Sequence, residues 1–180
     1  MPRRISLAKA SVEDIPTIQA LAHRIWWAHY PGIISEAQIT YMLERMYSDE
    51  SLRHQMTQEG AQYWLVALVP GEAIGFIALS RVAPEQYFIH KFYLDTHQQG
   101  KGLGVEAFQQ LLEHYPDARE IRLTVNRQNY KSINFYFKIG FRIERCADFD
   151  IGDGFFMNDF VMCWRQPSEG KETQVNDSSA

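Results

Sequence analysis

A glycine-rich loop is the segment of this chain whose residue types point most clearly to chemistry. It reads Gln99-Gly100-Lys101-Gly102-Leu103-Gly104 and lies between an apolar extended run, residues 87–94, and a helical pattern from Val105 onward. Because glycines have no side chains, backbone N–H groups can point at an anion, and a following helix adds the positive end of its dipole. The loop is therefore predicted to cradle a phosphate or pyrophosphate.

Two common kinds of glycine-rich loop do not match this spacing. A P-loop needs Lys and Ser or Thr after its last glycine, whereas Gly104 is followed by Val105 and Glu106. A dinucleotide fingerprint occurs at an early strand-to-helix turn, but this loop lies past the middle of the chain and lacks the third glycine of that pattern. A nucleotide-binding or flavin-binding module is therefore disfavoured.

A second motif, residues 129–141, follows a strand-like run at residues 121–125 and reads NYKSINFYFKIGF. It resembles the N-x-x-A/S-x-x-F-Y-x-x-x-G-F signature of the GNAT superfamily of acyl-CoA-dependent N-acyltransferases. Gln99, Gly102 and Gly104 match the Q/R-x-x-G-x-G/A loop of the same superfamily. The two motifs occur in the right order, and the resemblance extends over nearly the whole chain except its C-terminal tail.

The resemblance implies an α/β (α+β) GNAT fold, with a mixed central sheet of about seven strands, one bulged and splayed strand, and flanking helices. The pattern of residues 87–94 supports the bulge, because the apolar residues Tyr87 and Ile89 are followed by Phe92 and Leu94, so that the alternation slips by one. In this fold pantetheine pairs with the exposed backbone of the bulged strand, and one N–H near Phe92 faces the thioester carbonyl.

Periodicity and turn residues predict the order of the elements. A strand at residues 5–7 precedes a helix that starts near Ser11, and a capping-box pattern at Ser35 and Gln38 opens a second helix. The remaining elements are a helix (48–59), a hairpin (63–69 and 73–79), a strand (87–94), a helix (105–114), a strand (119–125), a helix (132–139) and a final strand pair (141–150 and 155–164).

The resemblance implies acetyl-CoA as co-substrate and no metal ion. The residues expected to bind it are Phe92, Tyr93, Leu94, Gln99, Gly100, Lys101, Gly102, Leu103, Gly104, Asn129 and Ser132. Asn129 would serve equally as a plain helix N-cap, and Lys101 and Ser132 as solvated residues near helix starts.

The chemistry implied is direct attack of an amine on the acetyl thioester in a ternary complex. Tyr136 is the expected acid that protonates the departing thiolate, with Phe135 as its core-facing neighbour. Many members carry a glutamate base where this chain has His90. His90 is a competent base because its ordinary pKa is about 6.5, and water relaying the proton to bulk solvent is the alternative.

The acceptor is expected to be a small amine of the diamine or polyamine type, bound by the first two helices and the last hairpin. Most residues of the aromatic clusters there, Trp26, Trp27, His29, Tyr30 and residues 155–157, are expected to be core. Acetylation of peptide N-termini or lysines is the competing class, and a non-catalytic acyl-CoA-binding module would have a similar sequence.

Length and composition fit one domain, residues 1–166, with a disordered polar tail at residues 167–180. The formal net charge of −4 argues against a nucleic-acid partner, and no apolar run indicates export or a membrane segment.

Cys146 and Cys163 show no metal spacing and are expected to be reduced core thiols, so a cytoplasmic protein is predicted. The sequence leaves open whether the chain forms a homodimer.

Overall fold

The computed structural model describes residues 4–167, which form a seven-stranded mixed sheet flanked by helices. The strands are β1 (Ile5–Lys9), β2 (Gln62–Leu68), β3 (Ala73–Ala83), β4 (Gln86–Leu94), β5 (Glu120–Asn126), β6 (Arg142–Gly152) and β7 (Phe155–Arg165). The helices are α1 (Ile15–His29), α2 (Glu36–Tyr47), α3 (Asp49–Thr57), α4 (Leu103–His114) and α5 (Tyr130–Lys138). The predicted tail lies outside the described residues from position 168 onward.

The sheet has the strand order β1-β2-β3-β4-β5-β7-β6, and β4 and β5 are its parallel pair. Their pairing runs from Gln86 opposite Glu120 to Ile89 opposite Leu123 and then stops, although both strands continue. A gap therefore opens between the last residues of β4 and β5. The predicted mixed sheet with a splayed strand is confirmed.

The predicted bulge lies at His90. Ala78 of β3 pairs with Lys91, whereas the next residue, Leu79, pairs with Ile89, so His90 is the extra residue on β4. A bulge bends its strand and increases the local twist. It turns the end of β4 away from β5 at the point where their pairing stops.

Alternate residues of the central strands pack into two apolar cores on opposite faces of the sheet. Ile77 belongs to the core beneath α4 and α5, and Phe76 to the core beneath α1, α2 and α3. Both are fully buried, and burying a side chain of this size contributes about 1.5–3 kcal/mol. The two cores fix the helices around the gap between β4 and β5.

Two expectations from the sequence are corrected by the structure. Ser35 caps α2 by accepting a hydrogen bond from the Gln38 backbone N–H, but the Gln38 side chain donates to the carbonyl of Phe156 rather than completing a capping box. Cys163 is buried, whereas Cys146 is exposed on the edge strand β6 and is not a core thiol. None of the helices within residues 4–167 has the length and apolar character needed to cross a membrane.

Candidate active site

Two adjoining cavities lie around the gap between β4 and β5. The first, the loop cleft, is bounded by the glycine loop and the starts of α4 and α5. The second, the helix chamber, is enclosed by α1, α2 and the ends of β4, β5 and β7. Six residues line both cavities and mark their junction: His29, Phe92, Leu94, Gln99, Ser132 and Tyr136.

The glycine loop is built by backbone conformations that favour glycine. Gly100 and Gly102 have φ values of 80° and 77°, and Gly102 is the left-handed N-cap of α4. Arg4 holds the loop from outside, because its Nη1 donates to the Lys101 carbonyl at 2.7 Å and its Nε to Glu106 of α4 at 3.1 Å. No local sequence pattern indicates this role of Arg4, since the contact joins residues 97 positions apart.

Gln99 carries the clearest sign that the loop cleft takes a ligand. Its side-chain Nε2 donates to the Leu94 carbonyl at 3.2 Å, but its Oε1 atom is buried without a hydrogen-bond partner among the described residues. A buried acceptor left unpaired costs free energy. An amide N–H of a pantetheine chain entering the cleft would satisfy it, so the residues present fit the expected co-substrate.

The structure brings most of the predicted co-substrate residues together. Phe92, Leu94, Gln99, Gly100, Gly102, Leu103, Gly104 and Ser132 line the loop cleft, together with Tyr136. Tyr93, His90 and Asn129 instead line the helix chamber. Lys101 lies outside both linings, and its Nζ is 3.0 Å from Gln98 Oε1.

Tyr136 and Phe135 both pack against the core beneath α4 and α5, and both line the loop cleft. Tyr136 has 8% of its surface exposed, whereas Phe135 is partly buried and its ring packs against the ring of Phe92. Phe135 contacts the core as expected, but Tyr136 is the more deeply buried of the two. Burial raises the pKa of Tyr136 well above its ordinary value, so its hydroxyl stays protonated at neutral pH.

His90 lies on the bulge, where its side chain is exposed to solvent and also borders the helix chamber. Its Nε2 lies 2.7 Å from Ser80 Oγ, so a hydrogen bond with Ser80 occupies one of the two ring nitrogens of His90. Partial desolvation and the adjacent Lys91 ammonium lower the pKa of His90 below 6.5. His90 is therefore a neutral imidazole at neutral pH.

Asn129 is the N-cap of α5, with its Oδ1 accepting from the Ser132 backbone N–H at 3.3 Å. The same oxygen lies 3.1 Å from Nε2 of His29. Desolvation and the charge of Lys131 lower the pKa of His29, despite this hydrogen bond. The contact joins the end of α1 to the start of α5 at the junction of the two cavities.

The walls of the helix chamber combine aromatic and apolar side chains with polar ones. Tyr30 and Tyr93 approach each other with their hydroxyl groups 3.1 Å apart, and Trp26 packs against both rings. Trp26 is core as expected, but Trp27 is 40% exposed. Gln38 and Met157 line the chamber from α2 and β7.

Asp159 of β7 is a chamber residue that the sequence analysis missed. Only 3% of its surface is exposed, and burial raises the pKa of its carboxyl to about 6. Its signal in the sequence is an acidic residue between the apolar segments FFM, residues 155–157, and FVMCW, residues 160–164, with only Asn158 as a polar neighbour. A charged residue in such a run is a candidate functional group, because buried charges are rare unless paired.

A second buried charge, Lys91, is held on the other side of the chamber. Its Nζ donates to Gln55 Oε1 at 2.6 Å and lies 5.3 Å from the ring centroids of Tyr47 and Tyr63. Desolvation lowers the pKa of Lys91 to about 8.

Within residues 4–167 no group of three metal-ligating side chains comes together.

Comparison with known proteins identifies relatives along most of the chain. Residues 21–141 match the description of the acetyltransferase (GNAT) family. The chain is 33% identical to a spermidine N(1)-acetyltransferase of Thermoplasma acidophilum over 78% of its own length and 89% of that protein. It is 29% identical to a probable spermine N(1)-acetyltransferase of Bacillus subtilis subsp. natto, over 44% of this chain and 59% of that protein.

A solved structure extends the likeness to three dimensions. The PaiA N-acetyltransferase of Thermoplasma acidophilum, in complex with coenzyme A, superposes with a TM-score of 0.72 at 26% identity. The match covers 91% of this chain and 100% of that structure.

Proposed function

Because this chain belongs to the acetyltransferase (GNAT) family, it is an acetyl-CoA-dependent N-acetyltransferase, and we propose that it acetylates a primary amine of a small polyamine. The observation that carries the proposal is the junction of the two cavities, where Tyr136 borders both. A thioester held in the loop cleft and an amine held in the helix chamber would meet beside its hydroxyl.

Acetyl-CoA would lie with its pantetheine along the end of β4. Residues 90–94 have no partner on β5, which leaves a backbone edge for pantetheine amides to pair with. Gln99 Oε1 would accept one amide N–H, and the turn at Gly100 and Gly102 would cradle the pyrophosphate at the start of α4. Leu103, Gly104 and Ser132 line the same cleft.

The acetyl transfer would be a direct attack in a ternary complex, because a thioester is already activated. Holding the two substrates together supplies up to about 7–11 kcal/mol of the barrier reduction. A backbone N–H of β4 near Phe92 would stabilise the developing oxyanion, a contribution of about 2.7–4 kcal/mol for donors of this kind.

Tyr136 would donate a proton to the thiolate as the tetrahedral intermediate collapses. Its raised pKa keeps the hydroxyl protonated until that moment. The same buried surroundings disfavour a free thiolate, so they raise the proton affinity of the thiolate as well as that of Tyr136.

The polyamine assignment is supported by the chamber and by the relatives. Trp26, Tyr30 and Met42 offer aromatic and flexible apolar surface for methylene chains, and ring faces attract ammonium groups. A relative that shares 33% identity over most of its length is named a spermidine N(1)-acetyltransferase.

The test is release of free thiol from acetyl-CoA in the presence of single amines. The panel contains spermidine, spermine, putrescine, a peptide with a free N-terminus and a lysine peptide whose N-terminus is blocked. We expect thiol release to be fastest with a polyamine and the product to be mono-acetylated. Preference for a peptide would overturn the acceptor assignment, and tight coenzyme A binding without turnover of any amine would indicate a non-catalytic module.

A further inference from the structure

Asp159 is a buried carboxylate that receives little stabilisation from hydrogen bonds or positive charges of the protein. The Thr124 hydroxyl donates a hydrogen bond to it, whereas an ionised carboxylate has about four acceptor sites. The guanidinium of Arg127 acts on it at longer range and is itself paired with Asp148 at 2.6 Å. Within residues 4–167 no ion pair to Asp159 forms, so this anion lacks the cationic partner that a buried charge requires.

The strand register puts Asp159 opposite the proposed thioester site. The last β4–β5 pair is Ile89 with Leu123, and Phe92 and Asn126 each lie three residues beyond it on their own strands. Asn126 pairs with Asp159 on β7. Phe92 therefore lies on one side of the widened gap, and Asp159 lies at a similar level beyond β5, which forms the other side. Since paired strands are about 4.8 Å apart, their backbones are separated by more than about 10 Å.

The side chain of Asp159 faces the helix chamber rather than the opposite core. Leu123 and Val125 of β5 belong to the core beneath α4 and α5, so Thr124 between them faces the other side of the sheet. Asp159 is bonded to Thr124, lines the chamber and acts electrostatically on Tyr30 of α1. The carboxylate is thus directed into the space where an acceptor amine would lie.

We propose that Asp159 is a catalytic residue that binds the ammonium of the acceptor in the helix chamber and takes the proton that makes it nucleophilic. The inference rests on the proposed function in needing a cationic amine as acceptor. The bound ammonium is the partner that Asp159 lacks in the protein alone.

The step balances without any further reactant. The ammonium gives one proton to the Asp159 carboxylate, and the free amine forms a C–N bond to the thioester carbonyl carbon. As the intermediate collapses, the nitrogen gives its second proton to water, the C–S bond breaks and the thiolate receives a proton from Tyr136. Water then returns one proton to the Tyr136 phenolate, and Asp159 releases its own proton to solvent after the product leaves.

The surroundings of Asp159 suit this role. The pKa of Asp159 is about 6. Desolvation raises this pKa, and so does the negative charge of Asp148 on β6. The hydrogen bond from Thr124 on β5 and the positive charge of Arg127 lower it. The carboxyl is therefore ionised at neutral pH and yet far more basic than an ordinary aspartate. Tyr30 faces it from α1, and burial raises the pKa of that phenol to about 12, so Tyr30 stays neutral.

His90 is less suited to the same task. Protonation would place a second positive charge beside the Lys91 ammonium, which already lowers the pKa of His90. A neutral imidazole also offers no charge to attract an ammonium. Asp159 would therefore attract an ammonium acceptor, whereas His90 would not.

The experiment compares Asp159→Asn with wild type, using Asp153→Asn as a matched control. Asp153 is an exposed acid in the β6–β7 turn with φ 55°, a conformation that asparagine tolerates. For spermidine at neutral pH we expect Asp159→Asn to lower kcat/KM by about 10²–10⁴-fold, while calorimetric affinity for coenzyme A stays unchanged. The acidic limb near pH 6 of the kcat/KM profile should disappear.

A weakly basic acceptor separates this role from a structural one. Trifluoroethylamine is largely unprotonated at neutral pH, so Asp159→Asn should reduce its acetylation far less than that of spermidine. Equal losses with both amines would contradict the proposal, as would a rate in Asp159→Asn within threefold of wild type. Loss of the acidic limb in His90→Ala instead would assign the proton to His90.

The proposed function and this inference fail separately. If wild type prefers a different amine, the polyamine assignment fails and Asp159→Asn is compared on that amine. If wild type acetylates none, carbon-13 NMR of the aspartate carboxyls, with Asp159→Asn to assign the signal, gives the second readout. Saturating spermidine with coenzyme A should lower the pKa of Asp159, since a bound ammonium favours the carboxylate. An unchanged pKa would overturn the inference.

Discussion

Gly104 of α4 and Phe135 of α5 pack so closely that a Cβ atom on Gly104 would lie 2.9 Å from a ring carbon of Phe135. Real Cβ atoms do not approach other atoms this closely, so any side chain at this position would force the Phe135 ring to shift. Gly100 is different, because nothing lies within 4 Å of its Cβ position. The glycines of one motif therefore serve two purposes, helix contact at its end and an open backbone surface at its start.

Gly104→Ala should destabilise the protein by about 1–3 kcal/mol, because the added methyl group overpacks the contact with Phe135. Urea unfolding monitored by circular dichroism measures the change. The double variant Gly104→Ala with Phe135→Leu should recover much of the loss, since the smaller side chain makes room. Equal stability of the single variant and wild type would show that the helices separate without cost.

Gly100→Ala should weaken coenzyme A binding, because its methyl group would project into the open surface where the pyrophosphate is proposed to bind. Gly60→Ala is the matched control: Gly60 also has a positive φ, 71°, and open space around its Cβ position, but it lies outside both cavities. Both variants should lose about 1 kcal/mol of stability from strain. Calorimetry should show reduced affinity in Gly100→Ala alone, and equal affinities would refute the cradle.

The sequence predicted those features that depend on neighbouring residues. The slip in alternation predicted a bulge between Ile89 and Phe92, and the structure places it at His90. A helix was predicted to end just before Gly140, and Gly140 has a φ of 103° there. Local patterns sufficed because the backbone conformation of a few residues decides such features.

The features that the sequence did not predict depend on contacts between distant segments. Asp159 lies next to Asn126 only because β7 is inserted between β5 and β6 in the sheet. Gln38 leaves its expected capping bond for the Phe156 carbonyl, which is over a hundred residues away. The deeper burial of Tyr136 than of Phe135 likewise follows from how α5 sits on the sheet, and helical periodicity alone does not fix that orientation.

Asp159→Asn should raise stability at neutral pH while it impairs catalysis. The carboxyl titrates near 6 in the folded protein against an ordinary value of 3.8, so the folded state binds its proton more tightly than the unfolded chain. Stability therefore falls as pH rises from about 4 to 6, and above this range the buried charge costs about 3 kcal/mol. Removing it should stabilise the protein by up to that amount at about pH 7.5 and by much less at about pH 4.

Urea unfolding of Asp159→Asn, wild type and Asp153→Asn at both pH values measures this effect. Asp153→Asn should resemble wild type throughout, because its carboxylate is exposed. A loss of stability in Asp159→Asn at neutral pH would mean that the carboxylate is paired and favourable in the folded protein.

Tyr136→Phe removes one hydroxyl and keeps the ring that packs against Phe141. We expect kcat to fall by one to three orders of magnitude, or about 1.4–4 kcal/mol at 1.36 kcal/mol per tenfold, with little change in the KM for acetyl-CoA. Steady-state kinetics with the best amine measures the effect. A wild-type rate would mean that solvent protonates the thiolate.

The central claim is direct transfer of the acetyl group from acetyl-CoA to a polyamine, with both substrates bound at once. Initial velocities measured over a matrix of spermidine and acetyl-CoA concentrations test it most directly. Direct transfer should give intersecting double-reciprocal lines, mono-acetylated spermidine as product and no acetylated enzyme by mass spectrometry. Parallel lines together with an acetyl-enzyme would rule out direct transfer, because they require a covalent intermediate that this site is not proposed to form.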